Sequence, residues 1–406
     1  MKKVVIVALI ITLAAGAVFA ELKTSAWAAG RAYIAAFDNN DVFPDSMTFG
    51  YHDLRLTADG KNEEGTFGGY LRFWARGNNN PLAGNETFGY AWWKPIDQVR
   101  LQIGQNRNID FGVFEIVRGS SFYGAARDGG MGVLLRENAY HVPGMSATHQ
   151  PHQLQNAFYG NSFDYGGATL SIYPIEGLSL NFGIPYGWDG AFKVGEHTYK
   201  NILAQVQYKI TDVGRLAFGY RGNDTADFAG TGATMASDNH ALFASFYLNG
   251  IENFGANLGL RLMMPFEREA GGTKNSVSYP FLAALGISFD AGDFGIKARC
   301  ELSTGGEHKI GGTSMTKGDT RFFFEVLPSY NVGVCKIFLS AAVDVKSPDK
   351  GDDEVGFSIN PYIAKAVGSS TFFAGLRLWS DGTKVNPPDD DARILFDIPI
   401  GLVVSF

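Results

Sequence analysis

Eighteen stretches of this 406-residue chain alternate apolar and polar residues with a period of two, and none offers a convincing helical period. They cover residues 22–38, 49–59, 65–77, 86–94 and 97–107, then after a long gap 164–174, 177–187, 197–211, 214–223, 238–249 and 253–265. The last seven are 276–290, 293–304, 319–330, 332–346, 354–366, 370–381 and 391–406. Successive side chains of a strand point to opposite faces, so each stretch has one apolar face and one mixed face. Ile202, Ala204, Val206, Tyr208 and Ile210 lie opposite Asn201, Gln205, Gln207 and Lys209; Phe254, Ala256, Leu258, Leu260 and Leu262 lie opposite Asn257 and Arg261. The chain is therefore expected to be all-β, with each strand set between an apolar medium and water.

The breaks divide into two kinds. Lys94-Pro95-Ile96-Asp97, Pro174-Ile175-Glu176-Gly177, Thr211-Asp212-Val213-Gly214 and Asp290-Ala291-Gly292-Asp293 are tight turns. Between them fall longer polar segments such as 224–237, 266–275, 305–318 and 381–391. A soluble sandwich has no reason to keep up this short–long alternation. A transmembrane antiparallel β-barrel does, with short periplasmic turns and long external loops. The expected count is about eighteen strands, with sixteen the alternative. An even count puts both termini in the periplasm. No second apolar run approaches the ~20 residues that a membrane helix needs. The 51 glycines, 14% aromatics and only 18% charged residues suit a barrel's tight bends and interfacial girdles.

Residues 1–20 read as a signal peptide: Lys2 and Lys3, an apolar run from Val4 to Ala15, and the small-residue site Val18-Phe19-Ala20. The barrel domain is then 21–406. Removing Lys2 and Lys3 from the 34 basic residues leaves 32 against 41 acidic ones, a balance of −9 that speaks against nucleic acid as a partner. Only two cysteines occur, Cys300 and Cys335, and they are expected to be unpaired because a strand lies between theirs.

The final stretch, DARILFDIPIGLVVSF, keeps Ile394, Phe396, Ile398, Ile400, Leu402, Val404 and Phe406 on one face. It resembles the closing strand of bacterial outer-membrane barrels. That resemblance implies that Phe406 is part of a signal read by the barrel-assembly machinery and that the protein is an integral outer-membrane barrel.

Residues 108–163 form the longest stretch without a clear barrel strand, and Phe111, Phe114, Phe122, Tyr123, Leu134 and Tyr140 make it too apolar for a solvated tail. Following a fifth strand, it resembles the loop of the porin family that folds inward and narrows the channel. The resemblance implies loop carboxylates facing wall arginines. The matching acids are Asp110, Glu115, Asp128 and Glu137, and the matching bases Arg55, Arg72, Arg76 and Arg100. It also implies a homotrimer. The loop carries Arg118, Arg127 and Arg136 as well, and the enterobacterial Pro-Glu-Phe-Gly-Gly signature is missing.

A charge on the lipid face costs about 2–4 kcal/mol for Arg or Lys at mid-membrane, so strand charges are assigned to the lumen. The bases at lumen parity are Arg55, Arg72, Arg76, Arg100, Lys209, Arg215, Arg221, Arg261, Lys297, Arg299, Arg321, Lys336, Arg377 and Arg393. The acids are Asp53, Glu301, Glu325, Asp344 and Asp397. Fourteen against five predicts a wet lumen with a weak anion preference, unless neighbouring carboxylates neutralise several of the arginines. Tyr70, Trp74 and Trp379 point inward on this parity, and stacked in file they would suit a saccharide path. Phe88, Tyr90, Trp92 and Trp93 read together as an interfacial girdle.

His141, His149 and His152 follow no ligand spacing, and no Ser–His or glycine-loop context marks a catalytic or nucleotide site. No cofactor, metal or enzymatic activity is expected. The expected function is passive diffusion of small hydrophilic solutes or ions through outer-membrane lipid. A surface adhesin whose external loops bind a ligand is the alternative.

Overall fold

The computed structural model describes residues 21–37, 42–43, 48–77, 85–104, 167–185, 203–221, 240–264, 268–270, 273–278, 281–304, 307–310, 313–317, 320–347, 353–381 and 393–405. Among them there is no helix. The main strands are β1 (Glu21–Phe37), β2 (Thr48–Lys61), β3 (Phe67–Gly77), β4 (Asn85–Ile96), β5 (Val99–Gly104) and β6 (Gly167–Ile172). Then come β7 (Leu178–Pro185), β8 (Leu203–Ile210), β9 (Gly214–Arg221), β10 (His240–Ile251), β11 (Phe254–Met264) and β12 (Phe281–Ala291). The ring is completed by β13 (Phe294–Thr304), β14 (Thr320–Asn331), β15 (Lys336–Ser347), β16 (Glu354–Val367), β17 (Ser370–Gly375, resuming as Arg377–Asp381) and β18 (Arg393–Ser405).

One sheet of twenty hydrogen-bonded segments reduces to these eighteen staves. Val42–Phe43 only pairs back on the end of β1. The two parts of β17 are one strand, because the Leu376 N–H between them still donates to the Pro361 carbonyl at 2.9 Å. Each stave pairs antiparallel with its sequence neighbours, and β18 pairs with β1 from Trp27↔Ser405 to Phe37↔Phe396. The ladder thus returns to its start. Physical chemistry requires this in a bilayer, where every unpaired backbone N–H or C=O costs several kcal/mol and an open edge cannot be tolerated. Eighteen staves spaced ~4.8 Å apart and tilted ~40° enclose a ring about 35 Å across, too wide for its own wall side chains to fill.

Burial follows the inverse of a soluble core. Gln102 is 2% exposed, while Ile103 beside it is 61% exposed. The same contrast separates Asn181 from Phe182, Gln205 from Val206 and Asn257 from Leu258. Cross-strand partners share a face, and the polar parity set by Gln102 passes through Thr169 and Gly183 and on round the ring without inversion. Cys300 lies on the outward parity of β13, Cys335 lies in the turn before β15 rather than on a strand, and both are free thiols.

Short turns join the staves where expected. Asp212 and Asn253 take positive φ, 57° and 61°, which the side chains of Asp and Asn tolerate. The 62–66 turn is built on buried Asn62, whose Oδ1 accepts the Thr66 and Phe67 N–H groups at 2.8 and 2.9 Å.

Two expectations need correction. The polar segments 266–275 and 305–318 are not plain loops. Arg268–Ala270, Thr273–Ser278, Glu307–Ile310 and Thr313–Lys317 form a separate four-stranded antiparallel sheet joining two long connections. Residues 276–278 therefore belong to that sheet and not to the stave that follows. The lumen face is also not polar throughout. Phe323, Leu327, Tyr362 and Phe373 are buried at lumen parity with Phe338 and Val403 packed against them. Phe322, Phe323 and Phe324 make both faces of β14 apolar, so alternation there breaks down.

Candidate functional site

The site is the inward face of the wall, and its best-defined part spans β2 to β6. Register places Arg55 opposite Trp27 on one side and Trp74 on the other. Arg72 is opposite Thr57 and Phe88, and Arg100 is opposite Ser171. These three expected wall bases share the lumen face and have uncharged residues directly across from them. Arg76 also lies on that face, but directly opposite Asp53.

Aromatic rings hold two of the guanidinium groups. Tyr70 and Tyr90 are opposite one another and stack at 5.4 Å between centroids. The Arg72 Nε–H donates to the Tyr70 Oη at 3.0 Å. Arg100 sits with its Cζ 5.3 Å from the Trp92 ring centroid and donates from Nη2 to the Gln102 Oε1 at 2.8 Å. Lys94 approaches the same indole, with its Nζ 5.7 Å from the centroid. The indole lies over Gly68, its cross-strand partner, where an added Cβ would come within 2.5 Å of the ring.

The girdle expectation is therefore corrected. Trp93 faces outward and is 53% exposed, but Trp92 and Tyr90 belong to the lumen with Tyr70 and the arginines. Four aromatics close in sequence cannot share one face of a strand with a period of two. Of the three expected inward aromatics, Tyr70 and Trp74 lie on β3 and Trp379 on β17, all at lumen parity. β3 and β17 are four inter-strand spacings apart around the ring, about 19 Å, so the three do not make one file.

Charges on the opposite arc are arranged differently. Register places Arg299 opposite Glu325, Arg377 opposite Asp397, Arg393 opposite Asp381 and Lys346 opposite Glu354. Arg299 and Glu325 are 1% and 3% exposed, and the Arg299 Cζ lies 5.6 Å from the Phe323 ring centroid. Register adds Asp59, Glu86, Glu354 and Asp381 to the inward acids and Lys23, Arg31 and Lys346 to the bases, so bases remain in excess.

The expected loop acids Asp110, Glu115, Asp128 and Glu137, the three loop histidines, the 1–20 segment and Phe406 lie outside the described residues. The chain leaves and re-enters the described wall at the paired residues Gly104 and Gly167. Gly104 has φ 135°, and an added Cβ there would come within 2.5 Å of the Gly89 carbonyl oxygen. Gly104, the last described residue of β5, thus takes a backbone conformation that favours glycine. No group of three or more His, Cys, Asp or Glu residues that could hold a metal occurs among the described residues.

No family model and no curated protein sequence matches the chain. Solved structures do. OpdL of Pseudomonas aeruginosa superposes with a TM-score of 0.54 at 10% identity, over 95% of this chain and 99% of that one. OccK2 (OpdF) of the same organism, in complex with glucuronate, gives 0.53 at 10% identity over 96% and 99%. An anion-selective porin from Comamonas acidovorans gives 0.51 at 12% identity over 95% and 100%. At such identities the likeness speaks for architecture alone. From stave count, closing register and inside-out burial together with this full-length superposition, the chain has the fold of the bacterial outer-membrane porins.

Proposed function

We propose that the protein is an outer-membrane porin, a passive water-filled channel for small hydrophilic solutes with a weak preference for anions. The observation that carries the reading is the eighteen-stave ring with buried amides and hydroxyls inside and exposed aliphatic and aromatic side chains outside. Such a ring needs lipid around it, and at this width it holds water. The short-turn end, where β1 begins and β18 ends, is taken as periplasmic. The anion preference is supported by Arg55, Arg72 and Arg100 on one lumen arc, and it agrees with an anion-selective neighbour and one holding glucuronate. The glycine-dependent conformation at Gly104, where β5 ends, supports an inward course for residues 108–163, because backbone leaving the sheet at membrane depth cannot enter lipid. Asp110, Glu115, Asp128 and Glu137 then face the wall arginines, and assembly as a trimer belongs to the same reading.

Purified protein in a planar bilayer under a salt gradient tests both parts. Stepwise openings with a reversal potential on the anion side are expected. Clear cation selectivity would remove the preference. A folded barrel with no openings would favour the surface-binding alternative, for which the four-stranded sheet joining two long connections is the structural argument. Liposome swelling with graded neutral and acidic sugars would distinguish a general from a saccharide-preferring pore.

A further inference from the structure

We propose that Trp92 and Tyr70 are positioning residues for selectivity: they hold Arg100 and Arg72 in fixed poses on the lumen wall, so that two guanidinium groups face a passing anion already oriented. The inference rests on the anion-preferring reading above and assigns its strength to particular side chains. Arginine on an open wall has several rotatable bonds, and its charge is spread over many positions. Here each of the two is held by two contacts. Arg100 has the Trp92 ring at 5.3 Å and the Gln102 Oε1 at 2.8 Å. Arg72 donates to the Tyr70 hydroxyl at 3.0 Å and has its Cζ 5.9 Å from the Tyr70 ring centroid, and Tyr70 is itself held by stacking on Tyr90 at 5.4 Å. The Trp92 support is built in from a neighbouring strand, whereas Tyr70 lies two residues from Arg72 on its own strand. Trp92 comes from β4, between Gly68 of β3 and Gln102 of β5, and the absence of a side chain at Gly68 leaves room for the indole.

This arrangement also changes what the aromatics can do. The Trp92 ring has two cations within 6 Å of its centroid and Tyr70 is stacked on a neighbour, so their faces serve the protein's own groups. They support charge on the wall instead of offering a sliding surface for sugar rings. An anion meets donors whose orientation cost was met on folding, which is how preorganisation raises affinity without adding contacts.

The test compares Trp92→Leu, Trp92→Phe, Tyr70→Phe, Arg100→Gln and Arg72→Gln in planar bilayers under a potassium chloride gradient, each variant first shown to fold by its heat-modifiable gel mobility. Arg100→Gln and Arg72→Gln lower the chloride-to-potassium permeability ratio. Trp92→Leu lowers it by about two- to fivefold, the weight of one exposed cation–π contact, although no charge is removed. Trp92→Phe, which keeps a π face, recovers most of that loss, and Tyr70→Phe, which keeps the stack but removes the acceptor of Arg72, gives a loss of its own. Wild-type ratios in Trp92→Leu and Tyr70→Phe, with lowered ratios in the arginine variants, would overturn the positioning role and leave the anion-preferring pore intact. Unchanged ratios in both arginine variants would overturn the proposal at its root, and a cation-selective wild type would overturn the reading beneath it.

Discussion

Replacing Glu325 by Gln should destabilise the barrel far more than replacing Arg299 and Glu325 together by apolar residues. The two are directly opposite on β13 and β14, share the inward face, and are 1% and 3% exposed among Phe323, Leu327 and Tyr362. Cross-strand partners stand about 5 Å apart, and with an effective dielectric constant of ~20 two unit charges at that distance attract by about 3 kcal/mol. Removing one charge leaves the other buried without the group facing it, so each single substitution should cost about 3–5 kcal/mol. Arg299→Met with Glu325→Leu removes both charges and keeps most of the volume, and should fall within about 2 kcal/mol of wild type. The assay is urea-induced unfolding from lipid vesicles, followed by tryptophan fluorescence, for the four members of a double-mutant cycle. A coupling energy of roughly 3 kcal/mol is expected. Additive costs would refute the argument, because they would mean that the two charges are solvated separately in the lumen. The double variant should also keep the wild-type conductance, since a pair buried in the wall does not touch the water path.

Two further outcomes check the architecture. Leu285→Arg places a charge on the outward face of β12, where Leu285 is exposed between Leu258 and Cys300, and should lower stability by about 2–4 kcal/mol; Gln207→Arg at lumen parity should change it by about 0.5 kcal/mol or less, so equal costs in vesicle unfolding would invert the assignment of faces. Gly104→Val imposes a side chain on φ 135° and drives it toward the Gly89 carbonyl, a strain of about 1–3 kcal/mol; single-channel recordings should show a larger or noisier open current if the turn directs 108–163 into the lumen, and an unchanged trace would detach that segment from the constriction.

Stave number and face were legible in the sequence because period-two alternation is a one-strand property. Each of the eighteen stretches contains a stave, although 276–278 of one went to the separate sheet, and the terminal one pairs with β1. Two things lay beyond that signal. The sheet of 268–270, 273–278, 307–310 and 313–317 has polar strands, which carry no apolar face to betray alternation, but the sequence between its paired strands reads Gly271-Gly272 and Gly311-Gly312, a hairpin signal that reading by hydropathy passes over. Trp92 and Trp93 were grouped by proximity along the chain, although adjacent residues of a strand are the ones that cannot share a face.

Register is the deeper omission, and it bears on function. Parity says which charges face the lumen, but only the pairing of one strand with the next says which of them meet. Counted along the sequence, the inward arginines looked like a uniform basic lining. Paired across strands, Arg299, Lys346, Arg377 and Arg393 each lie in register with a carboxylate residue on the arc from β13 to β18, while on the other arc Arg76 is opposite Asp53. On the arc from β2 to β11 the register positions opposite the bases are mostly uncharged: Arg55 is opposite Trp27 and Trp74, Arg72 opposite Thr57 and Phe88, and Arg261 opposite Phe243 and Leu282. Lys209 and Arg215 even face each other, an arrangement that costs stability in a sheet unless something negative comes between them. The net positive character of the lumen therefore belongs to one side of it. On the proposed anion-preferring reading, an anion crossing the pore would be drawn to the β2–β11 wall, while the β13–β18 wall carries most of the carboxylate partners and the aromatic cluster.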